Sequence, residues 1–232
     1  MEEFGGPLSA RPLHLLFVLD ISGSMKGAKI DALNEAMRQA LGPMREAARA
    51  NPTARLLVRA LVFSVGARWH VADPTPAADF AWEGPAPAGL TDLGAALHLL
   101  ASVLRMPPMD ERALPPVLVL VSDGQPTDDW RAGLAALDAL PWGRRAVRLA
   151  IAIGDDADLP VLEAFVGNLE YPVLQARDAE TLASYIRWAS TAVVSATSAP
   201  ASRLPGQAAP RGNVLLPPPP EPAVPISATE TW

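Results

Sequence analysis

The sequence predicts an α/β fold: a Rossmann-like, doubly wound and mostly parallel sheet with helices on both faces and one short antiparallel edge strand. Three observations predict it. Continuous apolar runs of strand length recur along the chain, as strands buried on both faces require. Segments with apolar residues at helical spacing alternate with those runs, the order that builds a parallel sheet by crossover connections. Two of the apolar runs end directly in aspartate-bearing loops, Asp20-Ile21-Ser22-Gly23-Ser24 and Ser122-Asp123-Gly124. In such sheets ligands collect at the carboxyl ends of the strands, near a topological switch point.

The elements follow in order. Leu13 to Leu19 is a central strand, LHLLFVL, ending at Asp20. After the Ile21–Gly27 loop, Ile30, Leu33, Met37, Leu41 and Met44 mark a helix, which Pro43 should kink and Asn51-Pro52 should end. Arg55 to Ser64 is a second strand, and Ala67 to Val71 is the short antiparallel edge. Asp73 to Gly89 is rich in Pro, Ala and Gly and reads as an irregular surface loop, with Trp82 as an exposed contact residue. Thr91 opens a helix bearing Leu93, Leu97, Leu100 and Leu104. Val117 to Val121 is a third buried strand, and Asp128 to Leu140 a helix with Leu134 and Leu137 inward. Val147 to Ile153, Leu159 to Val166, Tyr171 to Leu174 and Ala179 to Val194 are then strand, helix, short strand and closing helix.

From about Ser195 the periodicity stops, and nine prolines follow, including Pro217 to Pro220. Such a segment cannot build a core and should be disordered or polyproline II. The expected organisation is a lead over residues 1–12, a domain over 13–194 and a proline-rich tail over 195–232.

Composition narrows the function. The chain has 232 residues, half of them hydrophobic, with a formal charge of -6 and a pI near 5.1. One domain plus a tail suits that length. No basic footprint for nucleic acid and no basic run for a membrane surface is present. The absence of cysteine excludes disulfides, thiolate metal sites and a Cys nucleophile. The acidic start MEEFGGPLSARP has no apolar signal core, and no apolar run reaches membrane-spanning length, so a soluble cytoplasmic protein is expected. The Ala-, Pro- and Arg-rich usage points to a bacterial source.

Five oxygen-bearing residues carry the chemistry. Asp20, Ser22 and Ser24 follow the first strand, Thr91 lies where a loop enters a helix, and Asp123 follows another buried strand. In a parallel sheet all three segments end at one edge. Two carboxylates with neutral hydroxyls suit a hard cation, Mg²⁺ first and Mn²⁺ or Ca²⁺ as alternatives. Gly23, between the two serines, leaves the backbone free to turn tightly. An open coordination position would favour an Asp or Glu from a protein partner. Asp128 and Thr127 read as helix caps. Asp155, Asp156 and Asp158 read as a turn with a cap that makes the rim acidic, and Lys26, Lys29 or Arg131 would offset that charge. His14, His70 and His98 have no ligand spacing. Without a partner, Glu230 or the carboxylate of Trp232 on a neighbouring molecule would be a substitute ligand.

The motif D-I-S-G-S, the distant Thr91 and the later S-D-G resemble the metal-ion-dependent adhesion site, MIDAS, of von Willebrand factor A (vWA) domains. The resemblance covers roughly Leu13 to Val194. It implies Ser22, Ser24 and Thr91 as direct or near-direct ligands, with Asp20 and Asp123 bound directly or through water. Residues Thr91 to Leu97, TDLGAAL, and Asp123 to Trp130, DGQPTDDW, are similar to the bacterial TerY-type A domains associated with tellurite resistance. That likeness implies a scaffold or regulatory component beside a Ser/Thr kinase and a PP2C-type phosphatase in stress signalling. Two features depart from the TerY pattern: no Cys-rich ribbon is encoded, and Leu90 stands where Gly is common. The reading is a metal-dependent interaction module rather than an enzyme. The alternative is a Mg²⁺-dependent phosphohydrolase on a similar sheet, but Ser22 occupies the position where such an enzyme needs a second Asp for proton transfer.

Overall fold

The computed structural model of the chain describes residues 10–123, 125–199 and 214–222. Its strands are β1 (Arg11–Asp20), β2 (Ala54–Ser64), β3 (Gly66–Pro76), β4 (Val117–Ser122), β5 (Val147–Ile153) and β6 (Leu174–Ala176). Its helices are α1 (Ala28–Arg49), α2 (Leu93–Val103), α3 (Trp130–Asp138), α4 (Pro141–Arg145), α5 (Leu159–Val166) and α6 (Ala179–Ser198), with one 3₁₀ turn at Gly23–Met25. The sheet order is β3-β2-β1-β4-β5-β6. Every pairing is parallel except β2 with β3. The order reverses between β1 and β4, which is the topological switch point.

Alternation along the strands splits the core into two layers. Leu13, Leu15, Phe17 and Leu19 of β1 pack with Leu33 and Met37 of α1 and Ile186 and Val193 of α6. Leu16 and Val18 face the other way, against Leu97 and Leu100 of α2 and Leu162 and Phe165 of α5. Each fully buried Leu or Phe contributes roughly 1.5–3 kcal/mol of transfer free energy. The expected doubly wound architecture is therefore present.

Several boundaries differ from the sequence reading, each for a physical reason. The antiparallel edge strand reaches Pro76, with a register irregularity opposite Val58–Leu61. Pro74 and Pro76 are tolerated because β3 is an edge strand, whose outward positions donate no ladder bond. The following loop is packed instead of lying loose on the surface. Phe80 and Trp82 are buried on α1, Trp82 Nε1 donates to Asn34 Oδ1 at 3.1 Å, and Arg45 donates to the Phe80 carbonyl at 2.8 Å. Trp82 is therefore a core residue and not an exposed contact. Helix α1 runs through Pro43, held by buried Met37, Ala40 and Met44. The single helix expected over Asp128 to Leu140 ends at Asp138, and Pro141 starts a second short helix.

The last two elements also shift. Pairing of β6 begins at Leu174, opposite Ile151, rather than at Tyr171. Pro172 lacks the N–H that a ladder needs. Helix α6 continues a turn past Val194, because Thr197 and Ser198 bond back to the Val193 and Val194 carbonyls and need no apolar period. Part of the tail is ordered against the domain: Val214 and Leu216 pack on the α1–α6 layer of the core. Most of the lead, Glu230 and Trp232 lie outside the described residues. No helix among the described residues is long and apolar enough to cross a membrane.

Candidate metal centre

Strand β1 delivers Asp20 to the switch point with its side chain fully buried. Its Oδ1 accepts the Ser22 N–H at 2.8 Å, and its Oδ2 accepts the Ser122 hydroxyl at 2.5 Å. The Ser22 and Ser24 hydroxyls lie 2.9 Å apart, and Ser24 donates to Asp123 Oδ1 at 2.8 Å. Asp20, Ser22, Ser24 and Asp123 thus form one connected row of oxygens across the ends of β1 and β4. Ser22 and Asp123 are buried while Ser24 is exposed, so the row opens to solvent on one side.

Thr91 is buried, and backbone bonds tie the loop before it to the Asp20–Ser24 turn. The Gly23 N–H donates to the Gly89 carbonyl at 3.0 Å, and Ala88 N–H to the Ile21 carbonyl at 2.8 Å. A Cβ on Gly23 would sit 3.1 Å from that Gly89 oxygen, so the close approach of the two loops accounts for glycine here. Gly89 supplies a left-handed φ of 81°, one residue before Leu90. On the other side, Thr91 N–H donates to Thr127 Oγ1 at 3.0 Å, and Thr127 N–H to the Thr91 carbonyl at 2.9 Å. All five sequence-predicted residues therefore sit on a strand end or on loops that are hydrogen-bonded to one another.

The acidic neighbours take separate roles. Asp128 accepts from Gly94 N–H and Ala95 N–H, both at 2.8 Å, and so caps α2, the helix that Thr91 precedes. Asp129 caps α3, and Asp158 caps α5. Asp155 pairs with Arg177 at 2.6 Å. Lys29 lies 3.0 Å from Asp123 Oδ2 and 3.3 Å from Asp156 Oδ1, and is the cation that offsets the acidic rim. Burial alone would lower the Lys29 pKa, but its hydrogen bond and ion pair with Asp123, aided by Asp156, raise it.

Asp20 has the opposite problem. Burial pushes its pKa from 3.8 up to about 6, against the lowering effect of the Ser122 and Ser22 bonds, and the charge of Asp123 adds to the rise. Its described partners are neutral, and none of the described ion pairs includes it. A buried carboxylate without a counter-charge is costly unless a cation completes it. The donor set, two carboxylates with aligned hydroxyls, fits a hard divalent ion that retains water. No group of three or more His, Cys, Asp or Glu suited to a metal occurs among the described residues, so hydroxyls have to supply part of any shell. Ser122 and Lys29 are the residues whose roles the motif did not specify. Ser122 was visible only as part of S-D-G, and Lys29 only as one of three nearby cations.

No protein-family profile matches the chain, and no curated protein matches it by sequence. Solved structures do. The pilus adhesin SpaC from Lactobacillus rhamnosus GG, in its open conformation, is 14% identical over 80% of this chain and 30% of its own, with a TM-score of 0.65. A von Willebrand factor type A protein from Catenulispora acidiphila is 17% identical over 82% of this chain and 43% of its own, with a TM-score of 0.58. The chain has the von Willebrand factor A fold. A further vWA-fold neighbour is proximal thread matrix protein 1 from the mussel byssus, solved with a zinc-occupied MIDAS motif, at 17% identity, 80% and 46% coverage and a TM-score of 0.59. The chain spans less than half the length of each of these neighbours. Likeness at these identities establishes the vWA fold, while the site rests on the residues described above.

Proposed function

We propose that the chain is a metal-dependent protein-interaction module, with Asp20, Ser22, Ser24, Thr91 and Asp123 holding Mg²⁺. The observation that carries this reading is the connected row of oxygens at the switch point, anchored by a buried Asp20 with no described ion pair. The MIDAS metal of the mussel neighbour supports a divalent ion at this place in the fold. Mn²⁺ or Ca²⁺ would satisfy the same oxygens. Two carboxylates balance the ion's charge, and an Asp or Glu of a partner completes the shell at its exposed side. The apolar Val65 and Leu90 are 69% and 54% exposed. Both flank Gly89, in the loop bonded to the Asp20–Ser24 turn, and they offer contact area around such a carboxylate. The TerY likeness in the TDLGAAL and DGQPTDDW stretches supports a place beside a Ser/Thr kinase and a PP2C-type phosphatase, inside the bacterial cell.

The test is a pull-down from the native host in Mg²⁺ and in EDTA, with wild type and Thr91→Ala. Partners recovered in Mg²⁺ should be lost in EDTA and reduced with the variant. Equal recovery in all arms would place recognition on another surface.

A further inference from the structure

We infer that the flank beside β6 is a binding groove for an extended proline-rich segment, and that Val214–Pro219 of the chain itself occupies it. This inference stands apart from the metal centre and uses none of its residues.

The first observation is a period in the tail. From Val214 to Glu221, Leu215, Pro218 and Glu221 are exposed and Val214, Leu216, Pro217, Pro219 and Pro220 are partly covered; Pro222, beyond the last repeat, is exposed as well. Exposure at every third residue is what a polyproline II helix, with three residues per turn, shows when one edge faces water. A β-strand would alternate in twos. Leu215 is 93% exposed even though Val214 and Leu216 pack against the core.

The second observation is the wall the segment meets. Leu149, Tyr171, Pro172, Leu174 and Trp188 line it, and the Tyr171 hydroxyl donates to the Val214 carbonyl. Aromatic walls with polar tips are how proteins hold proline-rich ligands, whose preset backbone loses little entropy on docking. The Trp188 indole N–H is buried and has no hydrogen-bond partner among the described residues. A carbonyl of a more deeply seated segment would satisfy it, since a proline-rich backbone offers acceptors and few donors.

The third observation is the fit. A cleft of about 610 Å³ remains between this wall and Val214–Pro219. The segment is therefore seated without filling the groove. That arrangement suits a tethered ligand held by local concentration rather than by tight packing.

The test uses the full-length chain, a full-length variant carrying Val214→Asp and Leu216→Asp, and a synthetic peptide of residues 212–222. The reporter is the Trp188 indole N–H resonance, identified by its loss in Trp188→Phe. In the double variant this resonance should move, and adding the peptide should return it toward the wild-type position. The peptide should bind the double variant on the order of 10-fold more tightly than wild type, where the tethered segment competes. Equal binding to both proteins, or an indole resonance unchanged in the variant, would overturn the proposal. A concentration-dependent wild-type dimer that dissociates in the double variant would also overturn it, by assigning the groove to the tail of a second copy. Loss of metal binding would leave every arm unchanged, so this proposal and the metal reading fail separately.

Discussion

The two ends of β1 each bury an ionisable side chain, His14 near the start and Asp20 at the finish. Burial drives both toward their neutral forms, His14 down to about 4 and Asp20 up to about 6. Their surroundings differ. His14 lies near Arg59 and Arg55, whose charges lower its pKa further and outweigh the raising effect of Asp110. Its Nδ1 has no hydrogen-bond partner among the described residues. Asp20 is met by a backbone N–H and a hydroxyl, within a row of oxygens that opens to water. Burial alone therefore does not mark a site. What matters is whether the neighbours can complement the charged form, and only the Asp20 end has donors arranged to share a cation.

Asp20→Ala should act most strongly. Calorimetry should show at least about a 100-fold loss of Mg²⁺ or Mn²⁺ affinity, close to 3 kcal/mol, with an unchanged circular dichroism spectrum. An unaltered affinity would reduce Asp20 to a buried acid with no more function than His14.

A pair of pH titrations sharpens the contrast, because the two ends act with opposite sign. The folded state keeps the Asp20 proton to about pH 6, whereas the unfolded chain releases it near 3.8. Ionisation therefore opposes folding, and the chelated domain loses stability as pH rises through that window, by an amount on the order of 3 kcal/mol. Asp20→Asn should be more stable than wild type at pH 7 in EDTA, with the advantage shrinking toward pH 4. Folded His14 refuses its proton until about pH 4, whereas the unfolded chain accepts it near 6.5. Stability from this residue is lost as pH falls through that range, again by on the order of 3 kcal/mol. His14→Gln should flatten the acid limb of a thermal-melt profile. Limbs that remain parallel to wild type in both variants would show that neither group is shifted by folding.

Lys29, whose ammonium pairs with Asp123 at the candidate site, should have a weaker effect. Lys29→Met should raise Mg²⁺ affinity by a few-fold at low salt, since the ion no longer competes with a tethered charge. A fall in affinity would instead make Lys29 the residue that positions Asp123.

Much of the fold was legible in the sequence, and so was the convergence of the segments that carry the five proposed ligands. The apolar runs ending at Asp20 and Ser122 mark strands buried on both faces, and a parallel sheet brings their ends to one edge. Where the reading missed, local pattern was silent or misleading. Trp82 sits in a Pro- and Ala-rich stretch without periodicity, and its burial comes from Asn34 and α1, far away in the chain. The last turn of α6 is polar by composition, but its hydroxyls bond to the helix's own carbonyls.

Hydrophobic period and strand-end position are local properties, so the sequence alone carried most of the element order and the doubly wound parallel sheet, and it set five oxygen-bearing residues at strand and loop ends. Only the tertiary structure decided what surrounds those residues. The Ser24–Asp123 and Lys29–Asp123 bonds join positions 99 and 94 residues apart. The solvation of Asp20 depends on β4, and the seat of Val214 on Tyr171, 43 residues earlier. Such contacts are set by which surfaces the packed layers bring together, and burial and charge at a site are properties of that packing.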